Sequence, residues 1–239
     1  MRHTEISYEG LIGDFVIGWS YCRFVPESRL DKLGPMKHIV FGSPVCNRTN
    51  EFFVTHYDLA EGLQMLHSSQ FYEPHRLTVF EQGEGFDLDS FTEQYGYTFK
   101  YKEYLMTLDL SSMNEPKSDL VSLIREPREV VLVNDSFQKE IVDPERIEDK
   151  QLFTYYVEKN RPVTHGRFSL IGDTACLDHV ITLEEYRGKG LAKALCKTML
   201  MDAKDFGAGT SVLAASLTGY PLYVSLGYRE VANMYIFEK

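Results

Sequence analysis

Three cations and two glycines crowd into one short stretch near the end of the chain: Arg187, Gly188, Lys189, Gly190 and Lys193. Residue types of this kind suit the binding of an anion. An apolar run from Ala175 to Leu183 leads into the stretch, and Leu191, Leu195, Met199 and Ala203 leave it at i, i+4 spacing. That is a strand delivering the chain to a loop, and the loop opening an amphipathic helix. The first N–H groups of such a helix have no intrahelical acceptor, and the helix dipole puts partial positive charge at the same end. Gly188 and Gly190 let backbone approach a ligand closely, so the whole describes a cradle for a pyrophosphate. A plain strand–turn–helix connection is the alternative. Metal chemistry has no such signature. The seven His and four Cys show no ligand spacing, and Asp87 and Asp89 sit at a helix start, where capping explains them.

The spacing narrows the ligand. A Rossmann fingerprint needs a third glycine and a later acid, and a Walker loop needs Gly-Lys-Ser/Thr; neither is present. Arg187-x-x-Gly190-x-Ala192 resembles the Arg/Gln-x-x-Gly-x-Gly/Ala signature of the GNAT N-acetyltransferases. The resemblance implies that Arg187, Gly188, Lys189, Gly190, Leu191, Ala192 and Lys193 bind the pyrophosphate of acetyl-coenzyme A, the expected co-substrate, with no metal. It implies that the backbone of Val180-Ile181-Thr182 pairs with the pantetheine arm as a substitute strand. Family members usually carry Val where this chain has Thr182, a change of little consequence for a backbone contact. Ser216 falls where many relatives have an Asn that touches the coenzyme, so there a hydroxyl stands in for an amide.

Acetyl transfer to an amine needs a held thioester, a neutral nucleophile and a proton for the departing thiolate. Tyr223 matches the family tyrosine in Leu222-Tyr223-x-x-Leu226-Gly227-Tyr228 and is the expected proton donor; a phenol of reference pKa about 10 suits a thiolate. Asp178 matches a position where enzymes similar to serotonin N-acetyltransferase have a functional His. It is the first candidate base, direct or through water, and His179 the second. Regular alternation puts Cys176, Asp178 and Val180 on one strand face, and Leu177 and His179 on the other. A solvated strand residue is the bland reading of Asp178, and His165 reads as structural.

The elements that position these residues follow from hydrophobic period and punctuation. Leu11, Phe15, Trp19 and Cys22 favour a helix over a strand between Gly10 and Phe24. His38–Phe41 and Glu51–Thr55 read as strands, the first broken by Gly42-Ser43-Pro44. Asp58 caps a helix bearing Leu59, Leu63 and Leu66, and Arg76–Glu81 is a strand before a Gly83-Glu84-Gly85 turn. Helical spacing at Leu88, Phe91 and Tyr95 ends at Gly96-Tyr97, and the strand Thr98–Leu110 follows. The segment Ser111–Pro127 is polar with two prolines and reads as a linker. A short strand at Val130–Val133 and a helix toward Glu148 come next. Strands Leu152–Glu158, Thr164–Ile171 and Thr174–Thr182, the loop and its helix, strand Ser211–Ala215, a short helix at Pro221–Leu226 and a last strand complete the order that the resemblance implies. Phe91-x-x-x-Tyr95-Gly96-Tyr97 and Leu222-x-x-x-Leu226-Gly227-Tyr228 look like two copies of one unit. The expected fold is therefore α+β: a mixed, mostly antiparallel sheet flanked by helices, in two tandem GNAT-like domains. Residues 1–110 form a degenerate, acceptor-side copy, 111–127 the linker, and 128–239 the acetyltransferase domain.

Bulk properties frame this reading. The chain has 239 residues and a formal charge of −10. Residues 141–239 hold 13 acids and 12 bases, about −1 net, and residues 1–140 hold 22 and 13, about −9. An acidic surface argues against nucleic-acid backbone as a partner and suits a cationic amine acceptor. No apolar stretch is long enough to cross a bilayer, the Met1–Glu5 stretch does not read as a signal peptide, and Cys22, Cys46, Cys176 and Cys196 form no C-x-x-C pair. A reduced, cytoplasmic monomer or homodimer is expected, acting on a primary amine. Transfer of a longer acyl group, acylation of a protein N-terminus and a catalytically silent coenzyme sensor stand as rivals.

Overall fold

The computed structural model describes residues 7–45, 47–83 and 85–239. The Met1–Glu5 stretch, Cys46 and the Glu84 of the expected turn lie outside the described residues. Among those described, six helices and eleven strands follow one another as the same series run twice. The first run is α1 (Tyr8–Tyr21), β1 (Arg29–Leu33), β2 (Met36–Val45), β3 (Arg48–Thr55), α2 (Leu59–Ser68), β4 (His75–Glu81), α3 (Leu88–Tyr95) and β5 (Thr98–Asp109). A short strand β6 (Val121–Leu123) precedes the second run: α4 (Pro127–Phe137), β7 (Leu152–Glu158), β8 (Pro162–Ile171), β9 (Thr174–Thr182), α5 (Leu191–Asp205), β10 (Thr210–Ser216), α6 (Tyr220–Val224) and β11 (Arg229–Glu238). In each, three antiparallel strands end in one whose next neighbour is parallel, β3 with β4 and β9 with β10. The architecture is an α+β fold with a mixed sheet.

The two compact units cut across these runs. One holds α1, Thr107–Leu213 and Leu222–Tyr228; the other holds Arg23–Met106, Ala214–Pro221 and Arg229–Lys239. The second unit thus takes its last strand, β11, from the second run, and the first unit takes in the end of β5, Thr107–Asp109, from the first run. In the second unit β11, not β5, pairs antiparallel with β4, from Asn233↔Glu81 to Glu238↔Arg76. In the first, the end of β5 lies against β10, where Thr107 donates to the Ser211 carbonyl at 3.2 Å and Leu110 N–H to the Gly209 carbonyl at 2.9 Å. The unit boundaries consequently fall inside β5 and β10 and not in the polar segment 111–127. That segment is held along α5: Ser118 N–H donates to Thr198, Lys197 pairs with Glu115, and Lys204 donates to the carbonyls of Ser111 and Met113.

In the unit of β6–β9, α5 covers one sheet face with Leu191, Leu195, Met199, Leu200 and Ala203 buried. Each buried Leu side chain contributes about 1.5–3 kcal/mol relative to exposure. Helix α1 packs on β8 and β9 across the other face, where Ser169 donates to the Gly18 carbonyl at 2.8 Å. Gly18 sits so close to Cys176 that no side chain fits between them. The core of the other unit gathers Phe52, Val54, Leu66, Leu77, Val79, Phe91 and Phe237.

Several expectations need correction. Arg29–Leu33 carries no strand pattern in the sequence, three of its five residues being charged; it is an edge strand, paired with β2 around the Gly34 turn, where φ is +57°. Gly42-Ser43-Pro44 does not end β2, which continues to Val45 through a register shift after Val40. Val130–Val133 lies inside a helix, not a strand. Glu126 opens α4 through a capping box with Glu129, and Pro127 occupies the first turn, as helix N-termini favour. Toward Glu148 only a 3-10 turn at Pro144–Arg146 forms.

Candidate active site

Strand β9 carries the site, and an irregularity shapes it. His165 pairs with Ile181 and Arg167 with Asp178, so two residues of β9, His179 and Val180, stand opposite Gly166 alone. His179 adopts φ +55° to make this bulge, at a cost of about 1 kcal/mol for a residue with a Cβ. The bulge also breaks the expected alternation. Cys176 lies toward α1, its thiol at 3.9 Å from the Phe15 carbonyl, and Asp178 shares that face through Arg167. Val180 is turned to the opposite face, beside Leu195 and Met199 of α5, because the extra residue inverts the pleat. Thr182 hydrogen-bonds to Thr164 at 3.1 Å, and Ile181 is exposed.

The register of β9 with β10 runs only from Thr174↔Thr210 to Cys176↔Val212, although β9 continues to Thr182. Past that point β9 leads through a 3-10 turn (Glu184–Tyr186) to the glycine loop. Gly188 and Gly190 hold φ of +73° and +76°, and a side chain built on either would meet open space. Positive φ suits glycine, and the space beyond is what a diphosphate would need. Gly190 caps α5, whose first turn holds Leu191, Ala192 and Lys193 and has no acid. Arg187 Nε donates to the Thr182 carbonyl at 3.2 Å, and Lys189 Nζ to the Glu185 carbonyl at 2.9 Å. The loop cations are therefore anchored at its base and exposed at its mouth.

Asp178 is buried. Arg167 Nε and its terminal amine both donate to Asp178 Oδ2, at 2.9 and 2.8 Å. The sequence reading missed Arg167; a lone cation inside the apolar strand Thr164–Ile171 was its signal. His165, on the same face, is 1% exposed and stands edge-on to Phe137. Burial, with His179 and Arg167 nearby, pushes the His165 imidazole down to about 3. It is held neutral, as the structural reading expects. His179 is exposed, its ring centroid 6.3 Å from that of His165.

Tyr223, on α6, is 9% exposed, and its ring stands across that of Tyr228 at 5.7 Å. Tyr228 N–H donates to the Tyr223 carbonyl, and the Tyr228 hydroxyl lies 2.6 Å from that of Ser211. Ser216 belongs to the other unit, where its Oγ accepts from Gly219 N–H. Among the described residues the first run offers no equivalent loop. β3 and β4 stay in register to Phe80↔Thr55, the last residue of β3, and the N-terminus of α2 faces Asp58 and Glu61, not glycines and cations. Among the described residues no group of three or more His, Cys, Asp or Glu could hold a metal, and no helix is long and apolar enough to cross a membrane.

A family model described as an acetyltransferase (GNAT) domain matches residues 120–238. Residues 120–238 are a GNAT domain. Solved structures extend the likeness of fold to nearly the whole chain. A GCN5-related N-acetyltransferase from Kribbella flavida superposes with a TM-score of 0.62 at 14% identity, covering 97% of this chain and 93% of its own. A tandem GNAT protein from the clavulanic acid biosynthesis pathway gives 0.54 at 14% identity, with 91% and 85% covered. A GCN5-related N-acetyltransferase-like protein from Streptococcus suis gives 0.52 at 17%, with 89% and 87% covered. No curated protein sequence matches the chain. The GNAT fold and domain are those of acyl transfer, and the doubled element order is consistent with a tandem GNAT architecture.

Proposed function

We propose that this protein is an acetyl-coenzyme A-dependent N-acetyltransferase acting on an amine, with a cationic small molecule as acceptor. One observation carries the reading: β9 leaves its register with β10 at Cys176 and runs on to a glycine loop that is open at both positive-φ glycines. A backbone edge for the pantetheine arm and a cationic helix N-terminus for the diphosphate then lie along one continuous segment. In this proposal Val180, Ile181 and Thr182 bind the arm through backbone, and Arg187 to Lys193 bind the diphosphate. Ser216 touches the coenzyme, and residues 1–110 serve the acceptor side. The amine nitrogen attacks the thioester carbonyl and the carbon–sulfur bond breaks. Asp178, or else His179, takes the proton from nitrogen, and Tyr223 supplies one to the thiolate. Free buried thiols at Cys22, Cys176 and Cys196 support a reducing, cytoplasmic setting.

A second reading, a coenzyme-binding protein without turnover, draws support from the double donation of Arg167 to Asp178. A carboxylate stabilised as an anion is a weak base. The first test is calorimetry. Acetyl-coenzyme A should bind the parent, and Gly190→Asp, which sets a negative side chain where the diphosphate would lie, should abolish it. Equal affinities would remove the coenzyme assignment altogether. Turnover on a panel of amines separates the two readings, since the silent protein would show none.

A further inference from the structure

The unit built from Arg23–Met106, Ala214–Pro221 and Arg229–Lys239 contains a cavity of about 570 Å³. It opens at the C-terminal end of α2, beside the first residues of β4 and β5. In the second run the glycine loop lies where β9 ends and α5 begins; the corresponding place in the first run is the turn before α2, so a cavity at the C-terminal end of α2 is not a remnant of a second coenzyme site. Its volume is in the range of pockets that enclose small molecules, about 300–1,000 Å³.

The floor is formed by Leu66, His75 and Tyr97, all buried. His75 Nδ1 lies 2.8 Å from the Glu73 carbonyl and its Nε2 2.7 Å from the Tyr97 hydroxyl. With Nδ1–H donating to the carbonyl, Nε2 accepts the phenol proton. Burial lowers the basicity of His75 and raises the Tyr97 pKa, so both stay neutral. The walls are Leu63, Phe71 and Tyr95, and Tyr72 stands 79% exposed at the rim. Two charged side chains border the mouth. Glu73 is engaged, its Oε2 accepting from Asn50 Nδ2 at 3.0 Å. Lys239 Nζ donates to the Tyr95 carbonyl at 2.9 Å and lies 5.1 Å from the Tyr97 ring centroid. An ammonium has three donors, so it can serve an anion as well.

We propose that this cavity is a binding site for a small planar aromatic molecule carrying one anionic group, with its rings against Phe71, Tyr95 and Tyr97 and its anion on Lys239. Aromatic pairs of this kind add to what burial alone supplies, and the neutral floor admits apolar rings without stranding a charge.

The test is a fluorescence titration of the full chain with anilinonaphthalene sulfonate in saturating acetyl-coenzyme A, beside the neutral phenylnaphthylamine. The sulfonate should bind one saturable site, and Lys239→Met should weaken it at least tenfold while leaving the neutral probe unchanged. Leu63→Arg, which fills the cavity from α2, should block both probes. Gln94→Trp, which closes the mouth from an exposed position on α3, should do the same and keeps the test decisive if Leu63→Arg does not fold. Displacement by acetyl-coenzyme A, indifference to both filling variants, or equal loss of the two probes in Lys239→Met would each overturn the proposal.

Discussion

At the scale of single residues, the site contrasts a buried phenol with a buried ion pair. Tyr223 lies against Tyr228 in a largely enclosed setting. If Tyr223 is the acid, Tyr223→Phe should lower kcat by about 10²-fold with coenzyme affinity nearly unchanged. Unaltered kcat in steady-state assays would return it to a packing role. His165 gives a prediction about stability. Its folded pKa is lowered to about 3, below the unfolded value of about 6.5. Between these values the unfolded chain binds the extra proton, so stability rises with pH and is lost as pH falls from 6.5 toward 3. At its limit the loss is about 5 kcal/mol. Urea unfolding of parent and His165→Phe across this window should show a shallower acid slope in the variant; parallel slopes would contradict the assignment. Arg167 shows what a sequence does not reveal at this scale: a charged residue can be noticed, but its partner across the sheet cannot.

At the scale of elements, two copies of one strand–helix junction have diverged. The second parts from its parallel neighbour after Cys176 and opens α5 with Gly190; the first stays paired through Thr55 and opens α2 after Asp58. Among the described residues, the junction before α2 has neither an early parting from its parallel neighbour nor a cationic N-terminus to hold a diphosphate. Calorimetry should therefore find one acetyl-coenzyme A per chain. A second site, persisting in Gly190→Asp, would contradict this. Both runs do keep the helix–Gly–Tyr junction. Gly96 and Gly227 have φ of +67° and +95°, and Tyr97 and Tyr228 fold back onto Phe91 and Tyr223. That repeat was visible in the sequence because left-handed backbone after a helix selects glycine.

At the scale of the whole molecule, charge is the property most open to test. Residues 1–140 carry about −9 and residues 141–239 about −1. If the acidic part serves a cationic acceptor, kcat/KM for a polyamine should fall as salt rises, because attraction is screened over about 10 Å at 0.1 M. A neutral amine assayed alongside should show no such trend. Salt-independent rates for both would make the asymmetry a matter of solubility. Strand β11 of the second run pairs with β4 of the first, so truncating the chain within 111–127 would leave that unit without its last strand.

The sequence by itself determined the strand–loop–helix around Gly188 and Gly190, most strands of both runs and the doubled order, because period, glycine and capping chemistry act over a few residues. The proposed diphosphate cradle was legible for the same reason: its residues are contiguous. Only the tertiary structure decided which strand completes which unit, since β5 and β11 have similar alternation and either could pair with β4. Only it decided the bulge at His179, which depends on register with β8 and turns Val180 away from the face of Asp178. The Arg167–Asp178 pair and the cavity beside Lys239 were decided there too. Both join residues far apart in the chain, and no local pattern encodes such meetings.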